Sequence, residues 1–187
     1  MLQENTEFSA KTNSIKYQPF RKTTRHNNPS YEDLCKKAMN VLNYCGRTRA
    51  QLFNTLVDYG GEIADVDNLL DELEKTGLIN DRQYAEDFLT QAVRIKKIGP
   101  KKVKQTLYEK GISAEIISEI LEEYSYEEQV SIATEFTVKK LSTLSKQPVL
   151  KQKQKITASL INRGFTYNVI NDVLPRVLQE SSDEYIY

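Results

Sequence analysis

Apolar residues recur three times along the chain in a fixed order around a glycine. The glycines are Gly60, Gly111 and Gly164, separated by 51 and then 53 residues. Hydrophobic residues stand eight and four positions before each glycine, and six, nine, ten and thirteen positions after it. A period near 50 residues is typical of tandem supersecondary units that bury their apolar faces against neighbouring units. The pattern predicts a repeat protein with a long surface, rather than an enzyme built around one pocket.

The spacing inside each repeat predicts helices. The residues eight and four positions before each glycine lie one helical turn apart, as in the pair Leu52 and Leu56. Asn-Gly and Asp-Gly hairpin turns do not occur in the sequence. The predicted fold class is therefore all-α, with three tandem three-helix repeats that form an elongated, curved array. The predicted boundaries are a flexible basic arm at 1–29, repeats at 30–79, 80–125 and 126–179, and an acidic tail at 180–187.

Helix ends are marked by capping residues. Side-chain oxygens with capping-box spacing, or a close variant of it, predict helix starts because they accept hydrogen bonds from the first turn. Gly99-Pro100 is expected to end one helix and to begin the next, and Gly77 to follow a helix C-terminus. The three repeat glycines are expected in left-handed turns. The predicted caps are Ser30 with Asp33, Thr48 with Gln51, Asn80 with Gln83, and Ser125 with Glu128.

Charge is balanced in total but arranged in blocks. The 26 basic and 26 acidic residues give no net charge, yet residues 94–104 and 136–171 contain no acidic residue at all. Such blocks fit DNA phosphates, an acidic protein surface, or an ordinary solvated face. The candidate residues for binding an anionic partner are Arg94, Lys96, Lys97, Lys101, Lys102, Lys104, Lys139, Lys140, Lys151, Lys153 and Lys155.

The electrostatic field of a helix divides the candidate lysines around Gly99-Pro100 into two groups. Lys96 and Lys97 precede Gly99-Pro100, where the end of a helix favours cations without any ligand. Lys101 and Lys102 follow it, in a first turn where the same field disfavours them, so an anionic partner would explain them better. Aromatic residues are not clustered among the lysines in sequence, which makes a dedicated single-strand stacking platform the less favoured interpretation.

Catalytic and cofactor constellations are not found in the sequence. His26 is the only histidine and falls in the arm, and no glycine-rich phosphate loop is present. Cys35 and Cys45 are interpreted as buried thiols of the first repeat, not as zinc ligands. We expect no enzymatic activity, no cofactor and no metal. Without a signal-like or membrane-spanning apolar run, the expected location is the cytoplasm.

Several segments carry a family resemblance. The sequence from Gly77 to Phe88 contains a glycine, an apolar pair, an aspartate, and an aromatic-alanine pair followed by another aromatic residue. Gly99 to Val103, Leu107 to Ile112 and, more weakly, Leu160 to Phe165 continue the pattern. In these features the chain, over roughly residues 31–178, resembles the RecX family of RecA-regulating proteins.

The resemblance implies a non-enzymatic modulator that lies in the groove of the RecA filament on DNA. It would regulate filament assembly, ATP hydrolysis and strand exchange in recombinational DNA repair and the SOS response. The expected protein is a monomer with the RecA filament as partner, weak direct DNA contact and no membrane association. Two alternatives remain open: a helical protein that binds DNA independently of RecA, and a helical scaffold whose lysines only interact with water.

Overall fold

The computed structural model describes residues 29–183, and all regular structure in this range is helical. This confirms the predicted all-α class and the repeat of three helices. Residues 1–28 of the predicted basic arm, with His26, and residues 184–187 of the predicted acidic tail lie outside the described range. The helices are α1 (Tyr31–Tyr44), α2 (Arg49–Tyr59), α3 (Ile63–Lys75), α4 (Asp81–Gln91), α5 (Pro100–Glu109), α6 (Ala114–Glu122), α7 (Tyr126–Ser142), α8 (Val149–Asn162) and α9 (Tyr167–Asp183).

The first compact unit ends at Ile79 and contains α1, α2 and α3. Ser30 and Thr48 begin α1 and α2 with full capping boxes, as predicted. The three helices pack on one another around a shared apolar core. That core consists of Leu34, Ala38, Leu52, Leu56, Val66, Leu69, Leu70, Leu73 and Ile79.

The prediction of two buried thiols was wrong for Cys45. Cys35 is partly buried against the core of the first unit, and burial raises the pKa of its thiol. Cys45 is exposed because it follows the last residue of α1, where the backbone becomes extended (φ −165°, ψ 149°). Its side chain therefore leaves the buried face of the helix.

The second compact unit begins at Asn80, and α4 to α9 share one hydrophobic core within it. Helix α7 packs along α9, α8 contacts both of them, and α4 and α5 pack on α6. The side chains of Asn80 and Ser125 accept hydrogen bonds from the backbone of Gln83 and Glu128, as the sequence predicted. Residues of the second and third sequence repeats thus stabilise each other in a single packed body.

The glycine-centred pattern of the sequence matches the burial of its residues in the structure. Its hydrophobic positions are buried in all three copies except Leu121, which is partly buried. The repeat glycines have φ values of 115°, 82° and 86°, in the left-handed region, and Gly77 has 74°. These turns were predicted correctly.

One buried hydroxyl gives a stability prediction. Thr137 of α7 is fully buried, and within the described residues its Oγ1 has no hydrogen-bond partner. Because a buried, unpaired polar atom is unfavourable, Thr137→Val should leave the free energy of unfolding unchanged or raise it by about 1 kcal/mol. Thermal unfolding should then show an increase of up to about 2–4 °C in Tm.

Thr48 provides the matched control for that substitution. It is equally buried, but its hydroxyl accepts a hydrogen bond from the backbone N–H of Gln51 at 3.1 Å. Thr48→Val should therefore lower the free energy of unfolding by about 1 kcal/mol. A comparable loss in Thr137→Val would show that the Thr137 hydroxyl is bonded in solution.

Candidate anion-binding site

Two glycine turns meet backbone to backbone in the second unit. The N–H of Gly99 donates to the carbonyl of Arg163 at 2.8 Å, and the N–H of Lys101 donates to the carbonyl of Gly164 at 3.1 Å. A Cβ atom added to Gly99 would lie 2.6 Å from the Gly164 backbone, and one added to Gly164 would lie 2.3 Å from the nitrogen of Lys102. Glycine at both positions therefore allows the start of α5 to join the end of α8.

The chain reaches Gly99 through an unusual helix end. Helix α4 continues into a π-helical segment, Ala92–Lys96, and Lys97 then adopts φ 51°. In residues 29–183 it is the one non-glycine residue with positive φ. π-Helical turns and left-handed non-glycine residues are enriched at functional sites, and they persist where the surrounding structure fixes them.

Side chains that follow the ends of α8 and α6 hold this segment by hydrogen bonds. The guanidinium of Arg163 donates to the carbonyl of Lys96 and to that of Lys97, the latter at 3.1 Å. The hydroxyl of Tyr124 donates to the carbonyl of Ile98 at 3.2 Å. Burial raises the pKa of Tyr124, so the phenol remains a donor at neutral pH. The carbonyl of the last π-helical residue and those of the two residues after it are thus bonded to side chains.

Helix α7 is tied to the same segment. The Arg163 guanidinium carbon lies 4.1 Å from the ring centroid of Phe136, a cation–π contact. The ammonium of Lys97 lies 2.7 Å from the carboxylate of Glu135. Arg163 therefore links α7, α8 and the π-helical segment at one point.

These contacts frame a basic cleft of about 350 Å³. Five cationic side chains and one carboxylate line it, so its field is positive. The ammonium of Lys96 makes a cation–π contact with Phe88, 4.8 Å from the ring centroid. Lys139 and Lys140 form no ion pair with any described residue. The lining residues are Ile95, Lys96, Lys97, Glu135, Phe136, Lys139, Lys140, Thr143 and Arg163.

Helix α5 carries a second basic surface. Lys101, Lys104 and Tyr108 are exposed on it, and Tyr108 retains 72% of its accessible surface. At 100° per residue these three side chains fall within one sector of about 60°. Val103 and Leu107 are fully buried on another side of the helix. We refer to Lys101, Lys104 and Tyr108 as the α5 stripe.

Family models match the two parts of the chain that form this unit. Residues 80–121 match the second three-helix domain of RecX, and residues 127–174 match the third. The chain belongs to the RecX family. The basic cleft lies where these two RecX domains meet, because the second supplies the π-helical segment and the third supplies α7 and Arg163.

Curated relatives agree with the family models. The regulatory protein RecX of Lactococcus lactis subsp. cremoris (strain SK11) is 34% identical over 150 residues, covering 79% of this chain and 56% of the relative. The regulatory protein RecX of Listeria monocytogenes serotype 4a (strain HCC23) is 32% identical over 130 residues, covering 70% and 48%. The chain thus spans about half the length of the curated RecX proteins that it matches.

Solved RecX structures share the fold. A crystal structure of RecX from Lactobacillus salivarius has a TM-score of 0.72 and 26% identity, covering 79% of this chain and 96% of that chain. A crystal structure of regulatory protein RecX has a TM-score of 0.69 and 25% identity, with coverages of 76% and 73%. Both support the assignment of this chain to a RecX-type helical repeat.

The structure brings together four of the predicted binding residues. Lys96, Lys97, Lys139 and Lys140 line the basic cleft. On α8, Lys151 and Lys155 share one flank and Lys153 lies on the other, as period-two spacing requires. The predicted residues that do not line the cleft are Arg94, Lys101, Lys102, Lys104, Lys151, Lys153 and Lys155.

Two residues of these surfaces escaped the sequence-based selection. Arg163 is central to the cleft, and its place directly before the repeat glycine, in the acid-free segment, was an available signal. Tyr108 stands four residues after Lys104 and seven after Lys101, so it is not adjacent to either lysine in the linear sequence. Helical spacing places it on the same face as Lys101 and Lys104.

Metal chemistry and membrane insertion receive no support from the described part of the chain. No group of three or more His, Cys, Asp or Glu side chains there could hold a metal ion. None of the helices in residues 29–183 is long and apolar enough to cross a bilayer.

Proposed function

We propose that this chain regulates RecA by binding the RecA filament on DNA, in the cytoplasm and as a monomer. It would alter filament assembly, ATP hydrolysis and strand exchange without a catalytic site of its own. The observation that carries the proposal is the basic cleft at the junction of the second and third RecX domains. Its lining holds five cations against Glu135 alone.

The chemistry of the cleft fits the anionic groups of such a filament. DNA phosphates, and carboxylates on a protein surface, are attracted by unpaired lysines and are oriented by arginine. Lys139 and Lys140 are the cations of the cleft best placed for this, because Lys97 is paired with Glu135 and Arg163 bonds to backbone carbonyls. The bonded residues fix the shape of the cleft, and the unpaired lysines provide its affinity.

Cosedimentation with preformed filaments tests the proposal. RecA is assembled on single-stranded DNA with a slowly hydrolysed ATP analogue, pelleted in the presence of the chain, and compared with naked DNA and with free RecA. We expect the chain to pellet with the filament more tightly than with either component alone. Equal binding to naked DNA and to the filament would instead favour direct DNA binding independent of RecA.

A further inference from the structure

We propose that the α5 stripe binds single-stranded DNA, with the ring of Tyr108 stacked on a base and Lys101 and Lys104 on neighbouring phosphates. This contact is separate from the basic cleft and requires no RecA. Lys101 to Tyr108 spans about 10 Å of helix at 1.5 Å per residue. The stripe therefore contacts a short stretch of strand rather than a long track.

Tyr108 is exposed without an intramolecular role. The hydroxyls of Tyr31, Tyr124 and Tyr126 donate to Glu72, Ile98 and Asp172. The side chain of Tyr108, in contrast, makes no hydrogen bond, ring contact or ion pair with any described residue, and Tyr108 is 72% exposed. A large aromatic ring that neither packs in the core nor forms a hydrogen bond is available to contact a ligand.

The two lysines of the stripe also lack intramolecular partners. Neither Lys101 nor Lys104 forms an ion pair in the described residues, and the first turn of α5 contains no acidic residue. Lys101 stands in that first turn, where the helix field disfavours a cation. A phosphate beside it would offset this unfavourable position.

The neighbouring polar side chains of α5 form their own hydrogen bonds. The ammonium of Lys102 donates to the amide oxygen of Gln105 at 3.3 Å, and the Gln105 amide donates to Glu109 at 2.8 Å. The Glu109 carboxylate is thus engaged by Gln105, beside the stripe. Lys102 is thus hydrogen-bonded along the helix surface, whereas the ammonium groups of Lys101 and Lys104 have neither a hydrogen bond nor an ion pair in the described residues.

The stripe stands on a rigid support. The N–H of Lys101 is bonded to the carbonyl of Gly164, and Val103 and Leu107 are fully buried in the core of the second unit. Binding therefore requires ordering of side chains only, which keeps its entropic cost small.

Single-stranded DNA fits this arrangement better than duplex DNA or an acidic protein. The base faces of a duplex are already stacked on one another, so they offer nothing to the Tyr108 ring. An acidic peptide would pair with the lysines but would leave the ring unused. A single strand provides both phosphates and free base faces, and base–aromatic stacking contributes about 1–3 kcal/mol per base.

Fluorescence anisotropy with labelled oligo(dT) and the full chain, without RecA, tests the proposal. Tyr108→Ala should weaken binding by about 5- to 150-fold, whereas Tyr108→Phe should stay within about 2-fold because the ring is kept. Tyr44→Ala is the matched control, since Tyr44 is 92% exposed in the other compact unit. Circular dichroism verifies that each variant is folded.

Two further measurements separate stacking from charge. Lys101→Gln/Lys104→Gln should reduce the slope of log affinity against log salt by about 1 to 2, whereas Tyr108→Ala should leave that slope unchanged. On an abasic strand, wild type and Tyr108→Ala should bind equally, because there is no base to stack.

Any of four results would overturn the proposal. The first is that the wild type does not bind oligo(dT), and the second is that Tyr108→Ala binds it as tightly as the wild type. The third is that Tyr44→Ala loses as much affinity as Tyr108→Ala. The fourth is that Tyr108→Ala still binds more weakly than the wild type on the abasic strand. If Tyr108→Ala impairs action on RecA but not binding to naked DNA, the stripe contacts protein instead. Because RecA is absent from the anisotropy assay, its outcome is independent of the proposed filament regulation.

Discussion

Gly164→Ala should destabilise the second compact unit by about 2–5 kcal/mol. The residue has φ 86°, where a Cβ atom costs about 1–2 kcal/mol. The new atom would also lie 2.3 Å from the backbone nitrogen of Lys102, and relieving such overlap costs typically another 1–3 kcal/mol. Separating the two turns to make room would weaken the hydrogen bonds from Gly99 and Lys101.

Gly77→Ala is the control for the left-handed backbone alone. Gly77 has φ 74°, but an added Cβ atom meets nothing within 4 Å. Its substitution should therefore cost about 1–2 kcal/mol. Because the two glycines belong to different compact units, native-state hydrogen exchange is the suitable measurement, since it reports the stability of each unit from its own helices. Equal losses for Gly77→Ala and Gly164→Ala would contradict the close contact between the turns.

Gly99→Ala measures the cost of the steric overlap between the two turns without a left-handed backbone. Gly99 has φ −82°, which alanine adopts without strain, but its added Cβ atom would lie 2.6 Å from the Gly164 backbone. The substitution should destabilise the second unit through overlap alone, by about 1–3 kcal/mol.

Lys139→Glu/Lys140→Glu should weaken binding to the RecA filament by about 10- to 100-fold while the helical content is retained. The change leaves the cleft with three cations against three carboxylates. Opposing like charges at an interface cost several kcal/mol. Neither lysine forms an ion pair in the described residues, so the fold loses no such bond. Cosedimentation with preformed filaments measures the binding.

Lys36→Glu/Arg47→Glu makes the same change in net charge on the first compact unit. Lys36 forms only an exposed pair with Glu32, a type of pair that contributes little to stability, and Arg47 is exposed. This variant should bind the filament within about 3-fold of wild type if the cleft acts locally. If both double variants lose binding equally, total charge rather than the cleft determines affinity.

Local structure was predictable because short-range rules determine it. Ser30, Thr48, Asn80 and Ser125 cap helices through side-chain oxygens that reach only three residues along the chain. The glycine turns and buried repeat positions follow from backbone sterics and helical periodicity. These features account for the helices and their inward faces.

The cleft was not predictable, because it depends on contacts between distant residues. Glu135 pairs with Lys97 across 38 residues, and Arg163 reaches the carbonyl of Lys97 across 66. In the sequence, Lys96 and Lys97 belong to one basic block and Lys139 and Lys140 to another. No charge pattern indicates that the π-helical end of α4 brings the two blocks together.

The shared core of the second unit could not be predicted from the repeat pattern either. Three similar copies predict three similar bodies, yet α4 to α9 enclose one continuous core. The residues at the contact differ from the repeat average: Gly99 stands where the first repeat has the capping residue Thr48. The difference between copies, more than their likeness, determines which helices meet.

ATP hydrolysis by RecA on single-stranded DNA shows whether the chain regulates RecA through the basic cleft. With RecA, DNA and ATP held constant, the full chain is titrated up to a stoichiometric amount, and the rate is followed with a coupled assay. We expect a dose-dependent change in rate that is lost in Lys139→Glu/Lys140→Glu and retained in Lys36→Glu/Arg47→Glu. An unchanged rate at a stoichiometric amount of folded wild-type chain would contradict this expectation.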